Sequence, residues 1–133
     1  EAIIQSLLKV IAPYPIPEPV AQIVAQALTA ENIARMQQQV AFLNEQRTTL
    51  QAELAKLPGV ALVGDVKANY ILFRHSHCAQ IMQYLVSQGM LIRDQSKQLN
   101  LQNCLRVTIG SAEQNQRLLS LLDAYFEQAG ASL

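Results

Sequence analysis

Apolar positions recur at helical spacing from the first residues, where Ile3, Ile4, Leu7 and Leu8 form a stripe that enters as if midway through a helix. The stretch from Pro13 to Pro19 then carries four prolines at alternate positions. Each lacks an N–H and disfavours helix in the residue before it, which predicts an extended linker or chain reversal. From Glu18 to Leu28 the residues Val20, Ile23, Val24 and Ala27 return to a helical period, and Thr29 is placed to cap the helix that follows. That helix is predicted to be long. Ile33, Met36, Val40, Leu43, Leu50, Leu54 and Leu57 alternate by three and four, Arg47 takes the one polar slot, and Pro58-Gly59 stops the run. Residues 30–57 would extend about 42 Å at ~1.5 Å per residue, longer than a small domain is wide. Such an arm needs a further surface to lean on, either as a coiled-coil seam or as a spine between domains.

Beyond Gly59 the period shortens. Val60–Val63 and Asn69–Phe73 read as strands, Cys78, Ile81, Met82, Leu85 and Val86 as one face of a helix closed by Gly89, and Met90–Ile92 as a further short strand. A polar excursion over residues 93–103 leads to Cys104–Ile109, where Leu105, Val107 and Ile109 alternate with Cys104, Arg106 and Thr108. Ser111 and Gln114 form a capping-box pair at the start of a last helix packed through Leu118, Leu121, Leu122, Tyr125 and Phe126, and the tail from Gly130 is expected to fray. The expected fold class is α+β: a small sheet of three or four strands packed by helices on one face, preceded by a long helical arm.

Composition narrows the function classes. The 133 residues are half hydrophobic and only 15% charged, with ten basic side chains balanced by ten acidic ones, so no electrostatic footprint for nucleic acid or an anionic membrane is present. No apolar run approaches the ~20 residues of a membrane span and no signal-peptide pattern opens the chain, which leads us to expect a cytoplasmic protein. Cys78 and Cys104 lack metal-site spacing, and two histidines do not complete a zinc set, so no metal is expected. The start at Glu1, without an initiator methionine, suggests a piece of something longer.

Arg106 is the most informative candidate, because a guanidinium in the middle of an apolar strand keeps its proton and must find an anion or stay wet. Arg93, at the end of the preceding predicted strand, could converge with it on one carboxylate or phosphate, each fork donating paired charge-assisted hydrogen bonds. The alternatives are a solvated strand face or a salt bridge to Asp94 or Asp65, and spacing alone favours these. His75 and His77 offer two imidazoles, yet with no carboxylate or thiolate at ligand spacing they read as exposed loop histidines, Ser76 or His77 serving as helix cap. Ser96-Lys97 lies in the most polar loop, where a desolvated reactive amine is not expected. No P-loop, GxGxxG, HExxH or GxSxG occurs, and no self-sufficient catalytic centre is evident.

The strings LLKVIAPYPIPEPVAQIVAQAL, VKANYILFR and GMLIRDQSKQLNLQNCLRVTIGSAEQNQRLL resemble, in order and spacing, the C-terminal part of bacterial histidinol-phosphate aminotransferases. The APYP segment, LIRDQ and CLRVTIG are the specific elements; NYILF is generic to the superfamily. The resemblance implies the C-terminal small domain of a fold type I pyridoxal-phosphate enzyme, a cytoplasmic homodimer. That enzyme would exchange an amino group between glutamate and imidazole acetol phosphate, giving 2-oxoglutarate and histidinol phosphate in histidine biosynthesis. It implies that residues 1–17 end a large cofactor domain and linker, while 18–133 form the small domain with its long interdomain helix. By motif, Arg93 and Arg106 match the family's substrate-anion arginines, which reverses the preference from spacing. The family's cofactor lysine has no counterpart here, since Gln98, Leu99 and Asn100 follow Ser96-Lys97. The cofactor is thus expected in the whole protein and not in this chain, which is expected to be inactive alone. Two other readings stand beside this one: a free-standing domain that senses an amino acid or phosphate ester, and a dimerisation element built on the long arm.

Overall fold

In the computed structural model, residues 1–12 and 14–130 are described, and the chain divides into two compact units, 1–38 and 39 onward. The first unit holds α1 (Ala2–Val10), α2 (Glu18–Ala27) and the beginning of α3 (Ala30–Leu54). Helix α2 starts immediately after Pro17, so Pro19, expected at the end of the extended stretch, is helical instead and sits in the first turn, where a missing N–H costs nothing. Of the predicted extended stretch, Pro13 lies outside the described residues, and 14–17 form no helix or strand. Thr29 caps α3 by accepting the Asn32 N–H at 3.2 Å, and the Asn32 side chain donates back to the Ala27 carbonyl at 2.8 Å. No described side chain in this unit is buried.

The second unit is organised around the end of α3, where Leu50 and Leu54 are fully buried. The helix stops at Leu54, three residues before the predicted end, as Lys56 and Leu57 switch to tight i→i−3 bonds. Gly59 follows with φ +68°, and a Cβ there would sit 2.8 Å from His75 Nε2, so the turn needs glycine twice over. Then come β1 (Ala61–Leu62), β2 (Tyr70–Arg74), α4 (Cys78–Ser87), β3 (Arg93–Asp94), β4 (Cys104–Thr108) and α5 (Ala112–Gly130). Residues 131–133 of the predicted fraying tail lie outside the described residues.

The four strands form one antiparallel sheet in the order β1-β2-β4-β3. The expected α+β class holds, with one strand displaced: Met90–Ile92 is not the strand, and pairing begins at Arg93. Gly89 explains the shift. It takes φ +72° and lets Met90 N–H return to the Leu85 carbonyl at 2.8 Å, closing α4 in a Schellman arrangement. The next residues carry the chain to the sheet edge, Met90 and Ile92 packing on the core while Leu91 stays 81% exposed.

Period-two alternation decides the core. Ile71 and Phe73 of β2 and Leu105 and Val107 of β4 point to one side, where they meet Leu50, Leu54 and Leu57, Cys78, Ile81 and Leu85 of α4, and Leu118, Leu119 and Leu122 of α5. The capping box forms reciprocally: Ser111 N–H donates to Gln114 Oε1 at 2.9 Å and Gln114 N–H to Ser111 Oγ at 3.3 Å. Asn115, buried beneath it, accepts the Gly110 N–H and donates to the Gly110 carbonyl and to Gln46 Oε1, which ties α5 to α3. These ties help set the sheet's helix-covered side.

Candidate functional site

The other side of the sheet carries the alternate residues: Tyr70, Leu72 and Arg74 from β2, Cys104, Arg106 and Thr108 from β4, and Arg93 from β3; Cys104 at its end is fully buried, while the rest are half-buried or exposed. Arg93 and Arg106 are direct register partners, and Leu72 is the partner of Arg106 on the other flank. Directly opposed residues leave an antiparallel pair on the same face with Cβ atoms about 4.5–5.5 Å apart. The two candidate arginines therefore share one surface, in the middle of which Arg106 is half-buried while Arg93, on the edge strand, is exposed.

Two like charges placed opposite each other repel, so their partners decide what the arrangement is for. The chain has six arginines, all among the described residues. Four have fixed partners: Arg35 pairs with Glu31, Arg47 donates to the Lys67 carbonyl, Arg74 to the Gln102 and Asn100 carbonyls, and Arg117 to the Gln88 carbonyl. Arg93 and Arg106 are the two without an ion pair or hydrogen bond from the guanidinium among the described residues. Nε of Arg106 is in addition enclosed and unsatisfied, a donor whose desolvation goes uncompensated unless an acceptor arrives. The carboxylates that could have quenched the pair are engaged elsewhere. Asp94 accepts the Ser96 N–H at 2.7 Å, and the Ser96 hydroxyl and N–H, with the Lys97 charge, hold its carboxyl below the ordinary carboxylate value. Asp65 faces Lys67 at 3.6 Å.

One residue of this surface escaped the sequence reading. The Tyr70 ring lies beneath the Arg106 guanidinium, 5.0 Å from its Cζ to the ring centroid. Its signal was its parity with Leu72 on a strand that otherwise looked generic; only the register of β2 against β4 brings it under Arg106.

The remaining candidates separate from this surface. His75, expected in an exposed loop, is buried with 7% exposure, because it continues the core-facing parity of Ile71 and Phe73. Its ring meets Phe126 edge-on at 5.2 Å and His77 at 5.3 Å, and Nδ1 accepts the His77 N–H at 2.9 Å. Burial and the neighbouring His77 hold it below its ordinary value of 6.5, against a smaller upward pull from the Pro58 carbonyl. The expected helix cap also differs: His77 occupies the N-cap position of α4 without a side-chain bond, and the His75 ring takes up its N–H instead. Both cysteines are buried free thiols, Cys78 lying 3.5 Å from Ser96 Oγ. No group of three or more metal-ligating side chains occurs among the described residues, and none of the described helices is long and apolar enough to cross a membrane. Pyridoxal phosphate does not fit the donor set in hand. Lys9, Lys56, Lys67 and Lys97 are all exposed, Lys56 and Lys67 pair with Glu53 and Asp65, and none lies in an enclosed apolar site of the kind a Schiff-base amine needs.

Comparison with known proteins agrees with the motifs. The chain is 57% identical over 124 residues to a histidinol-phosphate aminotransferase of Pseudoalteromonas atlantica, an alignment covering 93% of this chain and 33% of that protein. It is 44% identical over 124 residues to the histidinol-phosphate aminotransferase of Escherichia coli strain SMS-3-5, covering 93% and 35%. The chain thus spans about a third of the length of these curated relatives. Among solved structures, the histidinol-phosphate aminotransferase of Clostridium acetobutylicum superposes with a TM-score of 0.67 at 17% identity, over 73% of this chain and 30% of that one, a likeness of fold. The family model for aminotransferase class I and II matches residues 1–122, and the chain belongs to that family.

Proposed function

We propose that the chain is the C-terminal, substrate-gripping part of a histidinol-phosphate aminotransferase. In this reading the whole protein is a cytoplasmic homodimer that exchanges an amino group between glutamate and imidazole acetol phosphate in L-histidine biosynthesis. The names of the relatives support the reaction class, and the share of their length that this chain covers makes the whole protein's activity an inference from kinship. Family membership implies pyridoxal phosphate in the whole protein, where it supplies the reactive centre; the residues of this chain supply binding and orientation.

The observation that carries the reading is the opposed Arg93 and Arg106, neither with an ion pair or hydrogen bond from its guanidinium among the described residues, and the enclosed Arg106 Nε without an acceptor there. An arriving carboxylate or phosphate would satisfy that donor, cancel the repulsion between the forks and accept parallel N–H bonds from each. One substrate ends in a carboxylate and the other in a phosphate, and planar forks can donate to either oxyanion without rebuilding the surface. Fixing the anionic end at a rigid sheet restricts where the reacting end of the molecule can lie, so binding energy gathered here orients the amine.

The test is Arg106→Ala in the full-length enzyme. Truncating a buried charge partner costs about 2–5 kcal/mol, which corresponds to a loss of about 30- to 4000-fold in kcat/KM for both the carboxylate and the phosphate substrate. Circular dichroism should be unchanged. Wild-type kinetics with both substrates would sink the assignment.

A further inference from the structure

Arg74, Arg93 and Arg106 share a face, yet they are held in different ways. Arg74 is fixed by two backbone carbonyls that consume its donors, at 2.9 Å each, and it is thereby removed from ligand chemistry. Arg106 is held by none of these. What touches it is the ring of Tyr70, which lies two residues along β2 from its direct partner Leu72 and so reaches it diagonally across the strand pair. An aromatic face attracts a cation through its quadrupole and offers no strong acceptor. A carboxylate in the same place would also hold the guanidinium, but it would occupy the donors that an incoming anion needs.

From this we infer that Tyr70 is a positioning residue for the anion grip: its ring restrains the Arg106 guanidinium while leaving the N–H donors free for the substrate. The inference deepens the function proposed above and rests on it. Without a platform, a long side chain opposite a second positive charge swings toward solvent, and ordering it on binding costs rotamer entropy. With the ring beneath it, that ordering is done before the substrate arrives. The half-buried position of Tyr70 also limits water at the Arg106 stem, which accounts for an enclosed Nε on an otherwise open face. The ring itself is the working element, since no hydrogen bond of the Tyr70 hydroxyl is found among the described residues.

The experiment compares Tyr70→Leu, Tyr70→Phe and Arg106→Ala in the full-length enzyme, with 2-oxoglutarate as the anionic probe and steady-state KM and kcat read separately. A cation–π contact between half-buried groups is worth about 1–2 kcal/mol, so Tyr70→Leu is expected to raise KM about 5- to 30-fold with kcat within about twofold. Tyr70→Phe, which keeps the ring, is expected to restore KM to within about twofold of wild type. A merely structural role would not be rescued selectively in KM by the phenyl ring. Tyr70→Met, of similar reach without a π face, replaces the leucine variant should that one not fold. Wild-type KM in the leucine variant overturns the inference, as does a phenylalanine variant as impaired as leucine. If Arg106→Ala alone raises KM, the anion site stands and the role of Tyr70 falls; if Arg106→Ala is silent too, both fall together.

Discussion

The two faces of the sheet are built from alternate residues of the same strands, and they are finished to different standards. On the helix-covered face, Ile71, Phe73, Leu105 and Val107 are all within 1% of complete burial, packed by three helices. On the other face, one residue along, two arginines stand opposed, one with a donor that has no hydrogen-bond partner among the described residues. The first face is what hydrophobic burial produces when each position is free to optimise stability. The second keeps an arrangement that folding alone disfavours, which the anion site proposed above would explain. Arg74 sharpens the contrast, since it shows that backbone carbonyls can satisfy a guanidinium on this face.

The largest effect expected from breaking this contrast is on the filled face. Phe73→Ala removes a fully buried ring and leaves a cavity, with an expected loss of about 3–5 kcal/mol in equilibrium denaturation; a loss under about 1 kcal/mol would mean the face is not packed as described. The next test exploits His75, which extends that face with a titratable ring. Because the folded state holds His75 below 6.5, the unfolded chain takes up the proton first as pH falls. Its contribution is whole above about pH 6.5, declines as pH drops through that value, and levels off below the folded-state value. Denaturation midpoints measured from about pH 7.5 to about pH 5 should fall for the wild type and stay flatter for His75→Gln; parallel curves would remove His75 as the cause. The smallest effect belongs to the open face. Arg106→Leu relieves the opposed charges and the unsatisfied Nε while losing the Tyr70 contact, so stability should change by less than about 1 kcal/mol even as substrate binding is lost. A loss as large as that of Phe73→Ala would make Arg106 a structural residue and erase the distinction between the faces.

Much of this was legible along the chain because the signals are local. The capping box at Ser111 and Gln114, the Thr29 cap and the Gly89 terminator each depend on residues within a few positions, and each formed as read; the alternation through Leu105–Thr108 did too, while Cys104 at its start is buried as well. The failures have non-local causes. Met90–Ile92 looked like a strand because apolar triplets usually are, but pairing is decided by register with β4, which begins at Arg93. His75 looked exposed because histidines between a strand and a helix commonly are, whereas its burial follows from the return of α5, which brings Phe126 against it, and from the close approach of Gly59. Tyr70 was passed over because its partner lies 36 positions away in sequence, across a strand boundary.

What the amino-acid sequence determined by itself was the kind of elements, several of their caps, and the two arginines offered as candidates, since propensity, capping and charge act over a turn or a pleat. Only the tertiary structure decided that Arg93 and Arg106 meet. A strand's side chains choose a face by parity, but which strand lies beside which, and in what register, is settled by the packing of the whole core, and a slip of one residue would have sent the two guanidinium groups to opposite sides.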